Sequence, residues 1–535
     1  MKSDAPNPRP TEIELKLAVP TQDPSRLVQR VSKTALLSRK KASIRHLHNV
    51  YYDTPDQVLR QARIALRLRR IGSDQNPQWL QTLKMGGASD SALSQRGEWE
   101  VAVPNGALDF HALEATPWSQ IDPDGHIFQA LAPCFTTSFE RSSWLVRGPD
   151  GSSVEVALDV GQIVACGHSA PLCELEFELL SGTPDALFDT AQAIANTIAV
   201  LPANTSKAER GYALAQNTWD RPVRARPPEL GRELALHEAA GRVLREMFSQ
   251  FTSNLHVLCT SDAPEVVHQA RVGWRRFKSA LRLFKPALPT QANPPWLALG
   301  PFLSDLGTLR DLEVALTETL PPFLEAYAQG DAQRVQSFET MLSTLSAAAD
   351  RQRKSVRIAL QTPATGLALL ATTQWLEALI KPPVPDHTTT EAHMPLRPWA
   401  RRRIARLCQR MKEATQDAHG AQDQHRIRIF AKRLRYGIEA LQPLLWKRRA
   451  QRWHQKATAL QTSIGTARDI TQAGALAATL RVDPGLVEFL RGLAVGRETS
   501  SVPVLEGLGV KLSPVLRSGQ PKVVATRRTR QKVQQ

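Results

Sequence analysis

The stretch Glu12-Ile13-Glu14-Leu15-Lys16-Leu17 alternates charge with aliphatic carbon at every step. Period two is the signature of a strand, and a strand written this way has one face that is entirely ionic. The pattern returns in Leu66-Arg67-Leu68-Arg69, in Arg96-Gly97-Glu98-Trp99-Glu100 and in Glu174-Leu175-Glu176-Phe177-Glu178. A single such strand reads as a solvated outer face. Several together, with Lys84, Arg141, Asp159, Lys207 and Arg210 besides, gather acids and bases on one surface, and such a surface needs a ligand to make sense. A barrel whose charged faces point inward around a hydrated cavity accounts for all of them. Acids held a few ångströms apart repel unless divalent cations sit among them, and carboxylates with retained water suit Mg²⁺ or Mn²⁺. Arg and Lys on neighbouring strands can grip phosphate oxygens. No Gly-rich phosphate loop of the Walker type occurs, which argues against a P-loop NTPase.

Outward from these segments, eight strands are expected: Thr11 to Val19, Ser43 to Tyr52, Ile64 to Ile71, Gln78 to Lys84, Arg96 to Val103, Ser138 to Arg147, Val154 to Val164 and Leu172 to Leu180. Turn clusters separate them, among them Gly72-Ser73-Asp74, Gly86-Gly87, Pro104-Asn105-Gly106 and Pro149-Asp150-Gly151. A helix is expected over Pro184 to Thr197, and the Pro- and Arg-rich residues 217–229 read as a linker. From Glu229 the texture changes to long Leu/Ala/Arg/Glu segments with helical periodicity, broken at Pro286 to Pro295 and at Pro382 to Pro398. Residues 516–535 form a basic tail expected to be disordered.

Charge divides at the same place. The 535 residues carry 68 Lys plus Arg against 51 Asp plus Glu, a net of +17. Residues 1–220 sum to −4, so a surplus of +21 lies in the rest. A basic protein of this size meets phosphate in some form: nucleic acid, acidic lipid or a phosphate polymer. The amino-terminal MKSDAPNPRP lacks the basic-then-apolar run of a signal peptide. The longest apolar stretch, Leu367 to Ile380, falls short of the roughly 20 residues of a spanning helix. Five cysteines without a CxxC pair support neither a disulfide framework nor a zinc site. A cytoplasmic protein without a membrane partner is the expectation.

The helical half repeats itself. His268-Gln-Ala-Arg-Val-Gly-Trp-Arg-Arg-Phe-Lys is echoed by His425-Arg-Ile-Arg-Ile-Phe-Ala-Lys-Arg-Leu-Arg, and Leu306-Gly-Thr-Leu-Arg-Asp311 by Ile464-Gly-Thr-Ala-Arg-Asp469. Both echoes fall at nearly one offset, so two copies of one helical unit are expected. At about 100° per residue, His268, Arg271, Arg275, Lys278 and Arg282 share one quadrant, opposite Trp274, Phe277, Leu281 and Phe284. His425, Arg428, Lys432 and Arg435 repeat the arrangement. No acid occurs between Glu265 and Asp305 or between Asp423 and Glu439, whereas a solvated face normally mixes signs. Two such stripes could flank one groove and hold a run of phosphates. Nucleic acid is disfavoured, because Trp274 and Phe277 fall on the apolar side and base recognition commonly uses exposed aromatics.

The same residues carry two resemblances. The helical half, over about 230–515 with repeats at about 230–381 and 399–515, resembles a CHAD domain. That resemblance implies a pair of helical bundles around a basic pocket or channel that binds inorganic polyphosphate, through His268, Arg271, Arg275, Arg276, Lys278, His425, Arg428, Lys432, Arg433 and Arg435. The first half, 10–216, resembles a CYTH domain. Glu12-x-Glu14-x-Lys16, Tyr51-Tyr52-Asp53-Thr54-Pro55, Leu66-Arg67-Leu68-Arg69, Gln81-Thr82-Leu83-Lys84, Arg96-Gly97-Glu98-Trp99-Glu100, Ala157-Leu158-Asp159-x-Gly161, Glu174-Leu175-Glu176 and Ser206-Lys207-x-x-Arg210-Gly211 stand in that family's order.

The CYTH resemblance implies an eight-stranded antiparallel barrel enclosing a triphosphate tunnel, and with the helical half an α+β multidomain chain. Lys16, Arg67, Arg69, Lys84, Arg141, Lys207 and Arg210 would hold the triphosphate. Glu12, Glu14, Glu98, Glu100, Asp159, Glu174 and Glu176 would hold or orient Mg²⁺ or Mn²⁺. Lys84, Glu12 and Glu176 would stand closest to the chemistry. Many relatives have a second basic residue where this chain has Ser143. The two-domain layout resembles bacterial inorganic triphosphatases, which release pyrophosphate and phosphate. Alternatives are an adenylate cyclase or thiamine triphosphatase on the same barrel, or a non-catalytic polyphosphate-binding adaptor.

Overall fold

A computed structural model describes residues 11–21, 23–72, 77–86, 91–104, 106–231, 233–288, 294–380, 394–416 and 421–507. The expected tail at 516–535, most of the break at Pro382 to Pro398 and the turn residues Ser73, Asp74, Gly87 and Asn105 lie outside them. Eight strands form the first half: β1 Thr11–Ala18, β2 Ser43–Asp53, β3 Ile64–Ile71, β4 Gln78–Met85, β5 Leu93–Val103, β6 Ala132–Arg147, β7 Ser153–Ala165 and β8 His168–Ser181. They hydrogen-bond antiparallel in the order β5-β4-β3-β2-β6-β7-β8-β1, and β1 pairs back onto β5 to close the barrel. A two-residue strand, β9 Leu201–Pro202, takes the edge of β1 at Leu17 and Ala18, beyond the part used by β5.

The barrel is inverted relative to an ordinary core. Because neighbours in register share a face, the aliphatic members of the alternating strands point outward. Leu15, Leu17, Leu158, Leu175 and Phe177 are each fully buried there. They are covered by α1 Leu27–Ser32 and α5 Asp185–Ala195, whose Leu27, Val31, Leu187, Phe188 and Ile194 complete the cluster. The short helices α2 Val58–Gln61, α3 Trp118–Ile121 and α4 His126–Gln129 lie in the loops. Leu47, Tyr51, Phe135, Phe139, Ile163 and Leu172 form a second cluster with Tyr212 and Leu214 of α6 Lys207–Ala215. By alternation those strand residues share their faces with Asn49, Arg141, Asp159 and Glu174, so the lumen is apolar at one level and ionic at the next.

The helical half contains α7 Leu236–Leu258, α8 Pro264–Phe284, α9 Gly300–Val314, α10 Leu324–Ala328, α11 Ala332–Leu360, α12 Pro363–Ala378, α13 Leu396–Gln416, α14 Ala421–Leu441, α15 Lys447–Thr479 and α16 Pro484–Gly507. Among the described residues no helix is long and apolar enough to cross a membrane. The chain groups into two compact units, and two of the boundaries between them fall within α9 and α11. The first unit joins the barrel to α7, α8 and α12; the second contains α13 to α16.

In the first unit, the fully buried Leu370 of α12 belongs to the barrel's own outer cluster. At Gly366, on the same helix, a Cβ would stand 2.5 Å from Val200 O, so only glycine allows this approach. The residues expected to form a linker are fastened down: Val223 N donates to Asn254 Oδ1 of α7 at 3.0 Å, and Asn254 Nδ2 donates to Val223 O at 2.8 Å.

Candidate active site

The motifs of the first half turn out to be of two kinds. Some build the scaffold. Asp53 is fully buried and accepts bonds from the backbone of Thr54, Leu59 and Arg60 and from the Tyr212 hydroxyl at 2.7 Å, so it caps α2 and anchors α6 at once. Ser206 and Glu209 form a reciprocal capping box that starts α6. Gly211 follows because a Cβ there would lie 2.2 Å from the Phe135 ring. The capping box thus delivers Lys207, the first residue of the helix, into the lumen. A cation at a helix N-terminus opposes the macrodipole, and here three carboxylates offset it.

The rest converge on a cavity of about 260 Å³ inside the barrel. Glu12, Glu14, Glu98, Glu100, Glu155, Glu176 and Glu178 line it together with Lys16, Arg67, Arg69, Lys84, Arg96, Arg141 and Lys207. Acids and bases are therefore equal in number around it. Arg141 grips Asp159 with Nε–Oδ1 2.7 Å and Nη2–Oδ2 2.6 Å, and also binds Glu176. Lys207 Nζ lies 2.7 Å from Asp159 and 2.9 Å from Glu176 and bonds Glu174. Lys16 stands 2.7 Å from Glu176 and 3.6 Å from Glu14. Lys84 bridges Glu12 at 2.9 Å and Glu98 at 2.7 Å. Arg67 reaches Glu98 at 3.4 Å and Arg69 reaches Glu100 at 3.5 Å.

These pairings set the protonation states. Burial works to raise the carboxyls of Asp159, Glu14 and Glu176, but the neighbouring cations outweigh it and all three lie below their ordinary values. For Glu98, burial is likewise outweighed, chiefly by Lys84, and its carboxyl falls to about 2. Glu178 goes the other way. Burial, then the charges of Glu12, Glu155 and Glu98, push it up to about 7. For Arg69, burial and the adjacent Arg67 and Arg141 pull the guanidinium down to about 10.

Of the residues expected from sequence, Asp159, Glu174 and Arg210 do not line this cavity. Asp159 and Glu174 lie in the wall behind it, buried. Arg210 bonds Glu174 at 3.3 Å and Pro171 O at 2.6 Å. Three charged lining residues lie outside the expected site set: Arg96, Glu155 and Glu178. The alternation could have found two of them, since Arg96 precedes Glu98 by two and Glu178 follows Glu176 by two. Arg96 sits directly across from Glu12 on β1 and binds both Glu12, at 3.3 Å, and Glu14.

Asp159, Glu174 and Glu176 each place a carboxylate oxygen within 4.8 Å of the others. Hard oxygen donors at this spacing suit a divalent cation. The cation they share in this structure is the ammonium of Lys207.

The two helical stripes belong to different units, α8 to the first and α14 to the second. On α8, Arg271 donates to Leu303 O at 3.3 Å and lies against Gly307, so the two motifs of the first repeat meet. Desolvation, then the charges of Arg282 and Arg271, lower the Lys278 ammonium from its usual value, which marks a face of crowded cations. His268 and Arg275 are half-buried on the same helix. Arg276 departs from the stripe: it is 2 % exposed, and its guanidinium binds Glu246 at 3.1 Å and Gln250 at 2.5 Å, tying α8 to α7. On α14, Arg428, Lys432, Arg433 and Arg435 are half-buried and His425 is exposed. Arg435 reaches Glu439 at 3.6 Å, and Arg433 lies over the Phe430 ring.

Comparison with known proteins follows the same division. Residues 10–212 match the CYTH domain and residues 242–478 the CHAD domain. An inorganic triphosphatase of Haemophilus influenzae is 34% identical over 210 residues, which are 39% of this chain and 56% of that protein. The chain thus spans little more than half the length of this curated relative. Among solved structures, the CHAD domain from the plant Ricinus communis is 24% identical, with a TM-score of 0.46, over 54% of this chain and 97% of that one. A Hippeastrum protein described by a dominant triphosphatase activity is 19% identical, with a TM-score of 0.29, over 38% of this chain and 95% of its own. The chain carries a CYTH domain, folded as a closed eight-stranded barrel, followed by a helical CHAD domain.

Proposed function

We propose that the barrel hydrolyses inorganic triphosphate to pyrophosphate and phosphate with Mg²⁺ or Mn²⁺, and that the helical domain binds inorganic polyphosphate. The observation that carries the first part is the balance of the cavity, seven acids against seven bases. A bare polyanion would upset that balance. A triphosphate accompanied by divalent cations adds little net charge and exchanges each internal ion pair for one with the ligand.

In this reading Lys16, Arg67, Arg69, Lys84, Arg141 and Lys207 bind phosphate oxygens, with Arg96 added to the set and Arg210 supporting Glu174 from behind. Asp159, Glu174 and Glu176, with Glu12, Glu14, Glu98 and Glu100, hold or orient the ions. A bound ion supplies Lewis-acid neutralisation of the phosphoryl oxygens and acidifies the attacking water. Water adds to the terminal phosphorus, the bond to the bridging oxygen breaks and pyrophosphate leaves. Phosphoryl transfer of this kind asks for position and charge neutralisation, so no Ser, Cys or His nucleophile is needed. Lys84, between Glu12 and Glu98, is placed to hold the phosphoryl end while those carboxylates orient the water.

The crowded cations of α8 and the basic face of α14 support the second part. Arg276, paired with Glu246, is left out of the polyphosphate contacts.

Phosphate release from inorganic triphosphate, ATP and thiamine triphosphate, with Mg²⁺ or Mn²⁺ and with chelator, tests the assignment. Preference for inorganic triphosphate and loss of turnover with chelator are expected. A preference for either organic substrate would overturn the reading of the tunnel. Binding of polyphosphate without any turnover would leave an adaptor.

A further inference from the structure

A second, larger cavity of about 1270 Å³ lies beside the tunnel within the first unit. It shares Glu14, Lys16, Ala65, Lys84, Arg96, Ser206 and Ala208 with the tunnel, so the two spaces adjoin along a common wall. Its far walls come from α7 and from the segment between α6 and α7. Outside the shared residues it is lined by eight arginines and four glutamates, a surplus of cations that the balanced tunnel lacks.

The segment that supplies three of those arginines is held in place. Besides the paired bonds of Val223 with Asn254, the backbone N–H of Arg226 donates to Glu246 Oε1 at 2.9 Å. Glu246 is fixed in turn by Arg276. Arg221 and Arg224, one on each side of Val223, are exposed, and among the described residues no acid pairs with either. Residues that read as a linker are therefore a fixed strap that carries guanidinium groups into the cavity beside the tunnel.

We propose that this cavity holds the trailing phosphates of a linear inorganic polyphosphate whose end occupies the tunnel, so that the protein accepts chains longer than triphosphate. The proposal rests on the reading of the tunnel as a triphosphate site. An organic triphosphate would place a neutral sugar and base among the arginines, whereas each further phosphate of a chain brings a charge for them. Arg forks on a fixed backbone suit such a ligand, because little order is lost when they engage.

The test uses the full chain with Arg271→Glu and Arg428→Glu as a background, so that the helical stripes do not supply the difference. Into it Arg221→Glu and Arg224→Glu are introduced together. KM and kcat are measured for inorganic triphosphate and for a medium-length polyphosphate. KM for polyphosphate is expected to rise about tenfold, and more steeply with added salt, as for charges on an open surface. Turnover of triphosphate is expected to stay within about twofold. Equal effects on both substrates, or none on either, would overturn the proposal. So would a 5′-triphosphorylated RNA that outcompetes polyphosphate and shows the same dependence on the two arginines. If neither inorganic substrate is hydrolysed, the tunnel reading fails by itself. Calorimetry of polyphosphate binding to the same pair of proteins then decides the cavity, unchanged affinity being the overturning result.

Discussion

Arg141 on β6 and Asp159 on β7 stand directly opposite each other in register and are joined by two parallel bonds, 2.7 and 2.6 Å long. Asp159 has no exposed surface, so its charge depends on Arg141 and Lys207. Removing one partner of a buried pair leaves the other charged in a poor dielectric. Arg141→Ala is expected to cost about 3 kcal/mol of stability and about a hundredfold in triphosphate turnover. Arg141→Lys should recover only part of either, because a point charge cannot make the two-pronged bond. Urea unfolding and initial rates on the three proteins check this; full rescue by lysine would show that charge alone is what matters.

Lys207 occupies the centre of the three-carboxylate cluster, and an ammonium there competes with any metal ion. Lys207→Ala should therefore bind Mn²⁺ more tightly when no substrate is present, by about tenfold. The same change should weaken triphosphate, because one of its cations is gone. Calorimetry with Mn²⁺ and KM for triphosphate should thus move in opposite directions. Weaker metal binding in the variant would place the ion elsewhere in the tunnel.

Much of the barrel could be read from its alternation, since period two shows in the residues themselves. All eight expected strands are present, with ends displaced because edges are set by pairing partners: β6 starts at Ala132, opposite Asp53, six residues before the expected Ser138. Helix α6 was not foreseen because Ser206-Lys207-x-x-Arg210-Gly211 reads as a string of functional groups, while half of its logic is a capping box and a space for Phe135. The burial of Arg276 was equally hidden. It follows the stripe residue Arg275 by one position, and nothing local signals that Glu246 and Gln250 wait on another helix. The sequence break near residue 220 also gave no sign that Leu370, 150 residues on, completes the barrel's outer cluster.

That contact makes its own prediction. Leu370→Ala leaves a cavity among Leu187, Phe188 and their neighbours and should destabilise the barrel by about 3 kcal/mol. It lies outside the lumen, so kcat for triphosphate at low temperature should be unchanged. Heating should abolish turnover earlier in the variant. A chain ending near residue 220 should behave in the same direction, active when cold and lost sooner on warming. An unaltered inactivation temperature in Leu370→Ala would mean that α12 only rests against the barrel.

His256 of α7 lies 3.2 Å from Pro202 O of β9, where α7 meets the barrel. Burial, and next among the lowering effects the charge of Arg210, push its imidazole down to about 4 from an ordinary 6.5. The folded protein thus binds this proton less readily than the unfolded chain. Stability supplied by the neutral ring is complete above about pH 6.5 and drains away as pH falls towards 4, by up to about 3 kcal/mol. Arg210 adds a positive charge that makes protonation harder still, and it also braces Glu174 behind the tunnel. Acid should therefore loosen α7 from β9 before it neutralises Glu14, Glu98, Asp159 and Glu176, which sit below their usual range. His256→Gln keeps a donor for Pro202 O without a group that titrates there. Urea midpoints measured from pH 7 to pH 4 should fall less steeply in the variant than in the parent. Parallel slopes would assign the acid limb to another group and remove His256 from the contact's pH dependence.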